Sequence, residues 1–127
     1  MSESFNPRQG LVVVSVQVFG PSGDTFARLA VDTGAVATVI SPLILVSVGY
    51  DLAQAPDQVR LVSASGVVIV PRLLVDKIMA LGQERIFLPI LAHNLPAAMG
   101  VDGTLGLDFY RARRLTVNFR RGSVSLA

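Results

Sequence analysis

Asp32 is the residue of this chain whose setting asks for chemistry. It stands in Leu29-Ala30-Val31-Asp32-Thr33-Gly34-Ala35-Val36-Ala37-Thr38-Val39-Ile40, a single carboxylate between two apolar runs. An isolated buried carboxylate costs several kcal/mol, so an acid kept in such a place is held there for a reason. One reason is structural: in an Asx-type turn Asp32 would cap its own backbone amides. That accounts for Asp32 and Gly34 but leaves Thr33, Ala35 and Thr38 unexplained. The other reason is general acid–base work, in which a carboxyl takes or gives a proton beside the reacting atoms. Other chemistries have less to build on. His93 is the only histidine, which excludes a multi-histidine metal site, and its neighbours Asn94, Leu95 and Pro96 read as a loop. The chain has no cysteine, so it has no thiolate nucleophile, thiolate metal site or disulfide framework. No serine sits in a Gly-x-Ser-x-Gly elbow, and Gly100-x-x-Gly103-x-x-Gly106 has neither the spacing nor the context of a nucleotide loop.

The elements that must position Asp32 are mostly strands. Val12, Val14, Val16 and Val18 recur at period two through Leu11 to Phe19, with Ser15 and Gln17 between them, and Gly20-Pro21-Ser22-Gly23-Asp24 turns this run into Thr25 to Val31. Ala37 to Ile40 reads as a further strand. Ser41-Pro42 reads as the N-cap and first position of a short helix that stops at Gly49. Val59 to Ser63 and Val67 to Val75 flank the small tip Ala64-Ser65-Gly66, and Ile78 to Leu81 and Arg85 to Leu91 flank Gly82-Gln83. Ala92 to Gly103 reads as a loop and Leu107 to Arg113 as a second short helix. Leu115 to Phe119 and Ser123 to Leu126 form a closing hairpin around Arg120-Arg121-Gly122. Many short strands, four hairpin-like turns and two stub helices predict an all-β, closed and barrel-like domain.

With 127 residues the chain has room for one core, and it reads as a single domain over 1–127. Residues 1–9 are polar and expected to be flexible. Apolar residues make up 51% of the sequence and charged ones 16%, with a mean hydropathy of +0.57, which excludes intrinsic disorder. This is greasy for a small domain, as though part of the apolar surface were buried against a second copy. No apolar run reaches the roughly 18 residues of a membrane helix, and Met1 to Gln9 lacks the pattern of a secretory signal, so a cytoplasmic location is the default. The net charge is only +2, but five arginines, at positions 111, 113, 114, 120 and 121, gather near the C-terminus. A solvated helix end and hairpin turn explain them. Nucleic acid is not expected as a partner, because no aromatic platform accompanies the charge.

Asp32-Thr33-Gly34-Ala35, preceded by Val31 and followed after two residues by Thr38-Val39, resembles the active-site motif of the retropepsin-like aspartic proteases. These are single-domain relatives of pepsin. Asp102-Gly103-Thr104-Leu105-Gly106-Leu107 resembles the family's hydrophobic-hydrophobic-glycine segment, with Thr104 where an aliphatic residue is more usual. The hairpin with tip Ala64-Ser65-Gly66 lies where the family carries its flap, and the matches run in the family's order from about Leu11 to Leu126.

The resemblance implies an aspartic endopeptidase that needs no metal or organic cofactor. Peptide hydrolysis by two carboxyls requires one ionised and one protonated, and two carboxyls at about 3 Å share one proton and titrate as a unit. This chain has one Asp-Thr-Gly. Asp102 as a second acid within the chain would need a second lobe that the length does not allow, so Asp102 reads as a turn residue. A two-fold homodimer that pairs Asp32 with its symmetry mate is the remaining route. By resemblance Thr33 would bond across the two-fold axis, and Gly34 would allow close backbone approach and offer its amide to the carboxylate. Thr38 would support the loop from behind. Ala35, Leu105 and the flap residues Ala64, Ser65 and Gly66 would contact the substrate. That substrate would be an extended polypeptide segment of about six to eight residues, bound as an added strand, with apolar side chains favoured near Val36, Val39, Leu105 and Leu107. The alternative is a non-catalytic dimerisation or peptide-binding module on the same fold.

Overall fold

The alternating valines of the first long strand set the architecture. In the computed structural model, which describes residues 1–127, Val14, Val16 and Val18 of β2 (Val13–Gly20) are fully buried while Ser15 between them is exposed. Pro21-Ser22 turns β2 into β3 (Gly23–Val31), which pairs with it antiparallel from Gly20↔Gly23 to Val13↔Ala30. The remaining strands of the same sheet are β4 (Val39–Ile40), β5 (Asp57–Ser63), β6 (Gly66–Ala80), β7 (Gln83–Ala92) and β8 (Gly103–Leu105). Strands β2, β3, β8, β4, β7 and β6 follow one another around a sheet that closes on itself, because β6 returns to β2 through Gln17↔Met79, Val18↔Ile78 and Phe19↔Lys77. Closure leaves this barrel no free edge. The inward side chains, including Val16, Leu29, Ile40, Ile78, Ile90 and Leu105, form one core with Leu45 of α1 (Pro42–Ser47) and Phe109 of α2 (Leu107–Tyr110). β5 pairs with β6 alone, so the β5–β6 hairpin stands out from the barrel as an arm.

A second, three-stranded sheet joins β1 (Ser2–Ser4), β10 (Ser123–Leu126) and β9 (Leu115–Asn118) in the order β1-β10-β9. Within the segment 1–9 expected to be flexible, Ser2–Ser4 thus form a strand. Ser2 to Ser4 pair with Ser125 to Ser123, Glu3 accepts the Ser15 amide at 2.8 Å, and Phe5 meets Phe119 edge-on at 5.9 Å. Other departures also have local causes. The strand expected over 37–40 shrinks to Val39–Ile40, because the Thr38 amide bonds to a side chain, that of Asp108. The segments expected over 67–75 and 78–81 are one continuous strand, β6. The helix expected over 107–113 stops at Tyr110: Ala112 takes φ +62°, and Arg85 donates to the carbonyls of Phe109 and Arg111 that a longer helix would use. Ser41 does not cap α1 with its side chain, which bonds to Asn94 instead, while Pro42 does hold the first turn. No helix is long and apolar enough to cross a membrane.

Candidate active site

Asp32 sits where β3 leaves the barrel. β3 runs parallel to β8 with Val31 opposite Leu105, and the ladder continues one step further as the Asp32 amide donates to the Leu105 carbonyl at 3.0 Å. There the chain turns sharply. Asp32 Oδ1 accepts the Gly34 amide at 2.9 Å and the Asp32 carbonyl accepts the Ala35 amide at 3.3 Å. The Asx-type turn expected of Asp32 is therefore present, and it leaves the second carboxylate oxygen, Oδ2, without a bond in the chain. Asp32 is half-buried, and Thr33 and Gly34 next to it are exposed. A Cβ on Gly34 would lie 3.2 Å from Asp32 Oδ1, so the absent side chain keeps this approach open.

The loop is anchored from below by the segment that follows β8. The Ala35 carbonyl accepts the Leu107 amide at 2.8 Å and the Val36 carbonyl accepts the Asp108 amide at 3.2 Å. Thr38, fully buried, is the hub. Its hydroxyl donates to Asp108 Oδ1 at 2.7 Å and accepts the Gly106 amide at 3.1 Å, while its own amide donates to Asp108 Oδ2 at 2.9 Å. Thr38 thus occupies the supporting position expected of it. Its partner Asp108 was not among the expected site residues. The signal available was an acid in the first turn of a short helix, between apolar Leu107 and Phe109, and such an acid usually only favours the helix N-terminus. Gly106 lets the two segments touch, since a Cβ there would come within 2.7 Å of the Ala37 carbonyl oxygen and 2.9 Å of that of Ala35.

Asp102 belongs to the scaffold. Its carboxylate accepts the Arg28 amide at 2.8 Å, its amide donates to the Arg28 carbonyl at 2.8 Å, and its carbonyl accepts the Ser41 amide. It clamps β3 four residues before Asp32, about 13 Å away along an extended strand. Leu105 needs correcting as a substrate contact: its side chain is 0% exposed, within the barrel core, and it serves the site through its carbonyl. Val39 is likewise buried, whereas Val36 is 70% exposed beside the turn. His93 is half-buried, and its amide donates to the Ile40 carbonyl, extending the β4–β7 pairing.

Ala35 lies within the Asp32 turn, but Ala64, Ser65 and Gly66 form a separate element at the exposed tip of the β5–β6 arm. Ala64-Ser65 make the two-residue loop between Ser63 and Gly66, Gly66 takes φ +129°, and the hydroxyls of Ser63 and Ser65 lie 3.0 Å apart. The base of the arm connects it to the site. Val59, Leu61 and Val70 pack in one cluster with Leu91 of β7 and with Ala37 and Val39, the residues into which the Asp32 loop runs.

Residues 14–109, spanning both the Asp32 turn and the Thr38–Asp108 anchor, match the family model described as aspartyl protease. The chain belongs to the aspartyl protease family. Among solved structures, this aspartyl protease is similar to a retropepsin-like aspartic protease from Rickettsia conorii, with a TM-score of 0.69 over 100% of this chain and 97% of that one. The two are 15% identical, so the likeness is one of fold, and the fold is retropepsin-like. No curated protein matches the sequence.

Proposed function

We propose that two copies of this aspartyl protease form a two-fold dimer whose paired Asp32 carboxyls cleave extended polypeptide segments. The observation that carries the reading is the Asp32 turn: one carboxylate, braced on Oδ1 by Gly34, its loop pinned by Thr38 and Asp108, while Asp108 and Asp102 spend their carboxylates on Thr38 and the Arg28 amide. In the dimer one carboxyl is ionised and the other holds the shared proton. The ionised Asp32 takes a proton from water as the oxygen attacks the scissile carbonyl, and the protonated one donates to the carbonyl oxygen. The resulting diol collapses when a carboxyl gives its proton to the departing amine. The bracing raises the rate because the carboxyls need not reorganise during these transfers.

The β5–β6 arm supplies the other half of the binding site. Its tip residues Ala64, Ser65 and Gly66 are small, and a two-strand arm tied down only at its base can open to admit a strand and close over it. On the arm face that carries Val59, Leu61 and Val70 toward the Asp32 loop, Val68 is 40% exposed, which favours an apolar side chain in the segment bound beneath it. The test is cleavage of a peptide library or an unfolded protein between pH 4 and 7, with Asp32→Asn as control. Cleavage that disappears in Asp32→Asn supports the reading. Undiminished cleavage by that variant, or a strictly monomeric mass in sedimentation at all concentrations, overturns it.

A further inference from the structure

Tyr110 carries a polar atom that the fold has not used. The residue is 6% exposed, its ring lies edge-on to Phe109 at 6.1 Å within the barrel core, and its hydroxyl is buried with no hydrogen-bond partner in the chain. A buried donor without an acceptor is unfavourable, and phenylalanine would keep the same ring packing without that cost. The acceptors of its own segment are occupied. The Phe109 carbonyl takes Arg85, the Leu107 carbonyl takes the Arg111 amide, the Tyr110 carbonyl takes the Arg113 amide, and both Asp108 oxygens take Thr38. Of the two nearby acids, the carboxylate oxygen left without a bond in the chain is Asp32 Oδ2.

Two further observations tie Tyr110 to Asp32. A cavity of about 320 Å³ is lined jointly by Thr33 of the Asp32 turn and by Leu107, Tyr110, Arg111, Arg113 and Leu115. It has room for an ordered water or for a group from a second copy. Burial first, and then the charges of Asp32 and Asp108, push the Tyr110 hydroxyl well above the ordinary phenol range. The hydroxyl therefore keeps its proton, and remains a donor, wherever a carboxyl pair operates.

We propose that Tyr110 is a positioning residue for Asp32, its hydroxyl donating through one water in the cavity beside Thr33 to the Asp32 carboxylate, and so favouring the ionised carboxyl. This rests on the reading of Asp32 as the catalytic acid. A donor to a carboxylate lowers its pKa, so losing the donor raises it. Tyr110→Phe removes one oxygen and leaves the other charged groups around the site in place: Asp32, Asp108, Arg111, Arg113, and Arg85 on its two carbonyls.

The experiment has two arms. In wild type and Tyr110→Phe, the Asp32 carboxyl is titrated by carbon NMR with labelled aspartate, assigned through Asp32→Asn, and thermal stability is measured alongside. The expected result is a rise of about half to one pH unit in the Asp32 titration of the variant. Where peptide cleavage is measurable, both limbs of its pH profile should move up by a similar amount. An unchanged Asp32 titration overturns the proposal, and a raised melting temperature beside it marks the hydroxyl as a purely structural burden. Because the carboxyl titration does not require turnover, failure to cleave peptides would count against the protease reading without deciding this one.

Discussion

At the scale of single residues, the stiffness of the site depends on Thr38 more than on Asp32 itself. One side chain satisfies Asp108 and the Gly106 amide together, and its amide completes the grip on Asp108. Thr38→Val keeps the shape and removes the oxygen, leaving the buried Gly106 amide and one oxygen of the half-buried Asp108 unpaired, so a loss of about 2 to 4 kcal/mol is expected in denaturant unfolding. Thr38→Ser restores the oxygen and should recover most of that loss. Wild-type stability in Thr38→Val would refute the anchoring role. Asp32 was legible in the sequence because an acid between apolar runs has no cheap explanation. Asp108 and Tyr110 were not, because each has an ordinary reading: an acid at a helix start, and an aromatic on an apolar face. Leu105 was misread because the resemblance marks a segment, and only the barrel's inward alternation shows which of its side chains face the core.

At the scale of elements, the site depends on two segments crossing without side chains between them. A Cβ on Gly103 would collide with the Val39 carbonyl oxygen, and one on Gly106 would press on Ala35 and Ala37. Gly103→Ala is therefore expected to push β4 away from β8 and to cost about 3 kcal/mol or more, with solubility falling alongside. Gly10→Ala, where nothing lies within 4 Å, is the control and should stay within about 0.5 kcal/mol. If Gly103→Ala were as mild as the control, the close crossing would not matter. The strands themselves were readable from their alternation, and the arm from its small-residue tip. Barrel closure through β2 and β6 left no local mark, since it pairs Gln17 with Met79 across a long stretch of chain. The N-terminal strand was missed for a related reason. Ser2, Glu3 and Ser4 pair against the edge of a strand whose facing residues include Ser123 and Ser125, so backbone bonds define it and no apolar pattern announces it.

At the scale of the whole molecule, only 29 of 127 residues are buried, and large apolar side chains are exposed at several places, among them Phe26, Leu43, Ile86 and Phe87. One group stands on the arm, as Val62, Val67, Val68 and Ile69, and beside the Asp32 turn, as Val36. These are the surfaces that a second copy and a bound strand would cover, and half of the proposed site is missing from one chain. Mixing tests this directly. When wild type and Asp32→Asn are combined in equal amounts and allowed to exchange, random pairing leaves about a quarter of the dimers with two intact carboxyls. Activity per wild-type chain should then fall to about half of its unmixed value, and adding more of the variant should depress it further. If each chain carried a complete site, added Asp32→Asn would leave activity per wild-type chain unchanged. Dilution gives the same distinction by another route: specific activity should collapse below the dimer dissociation constant, and a saturating peptide that bridges both chains should delay that collapse by stabilising the pair.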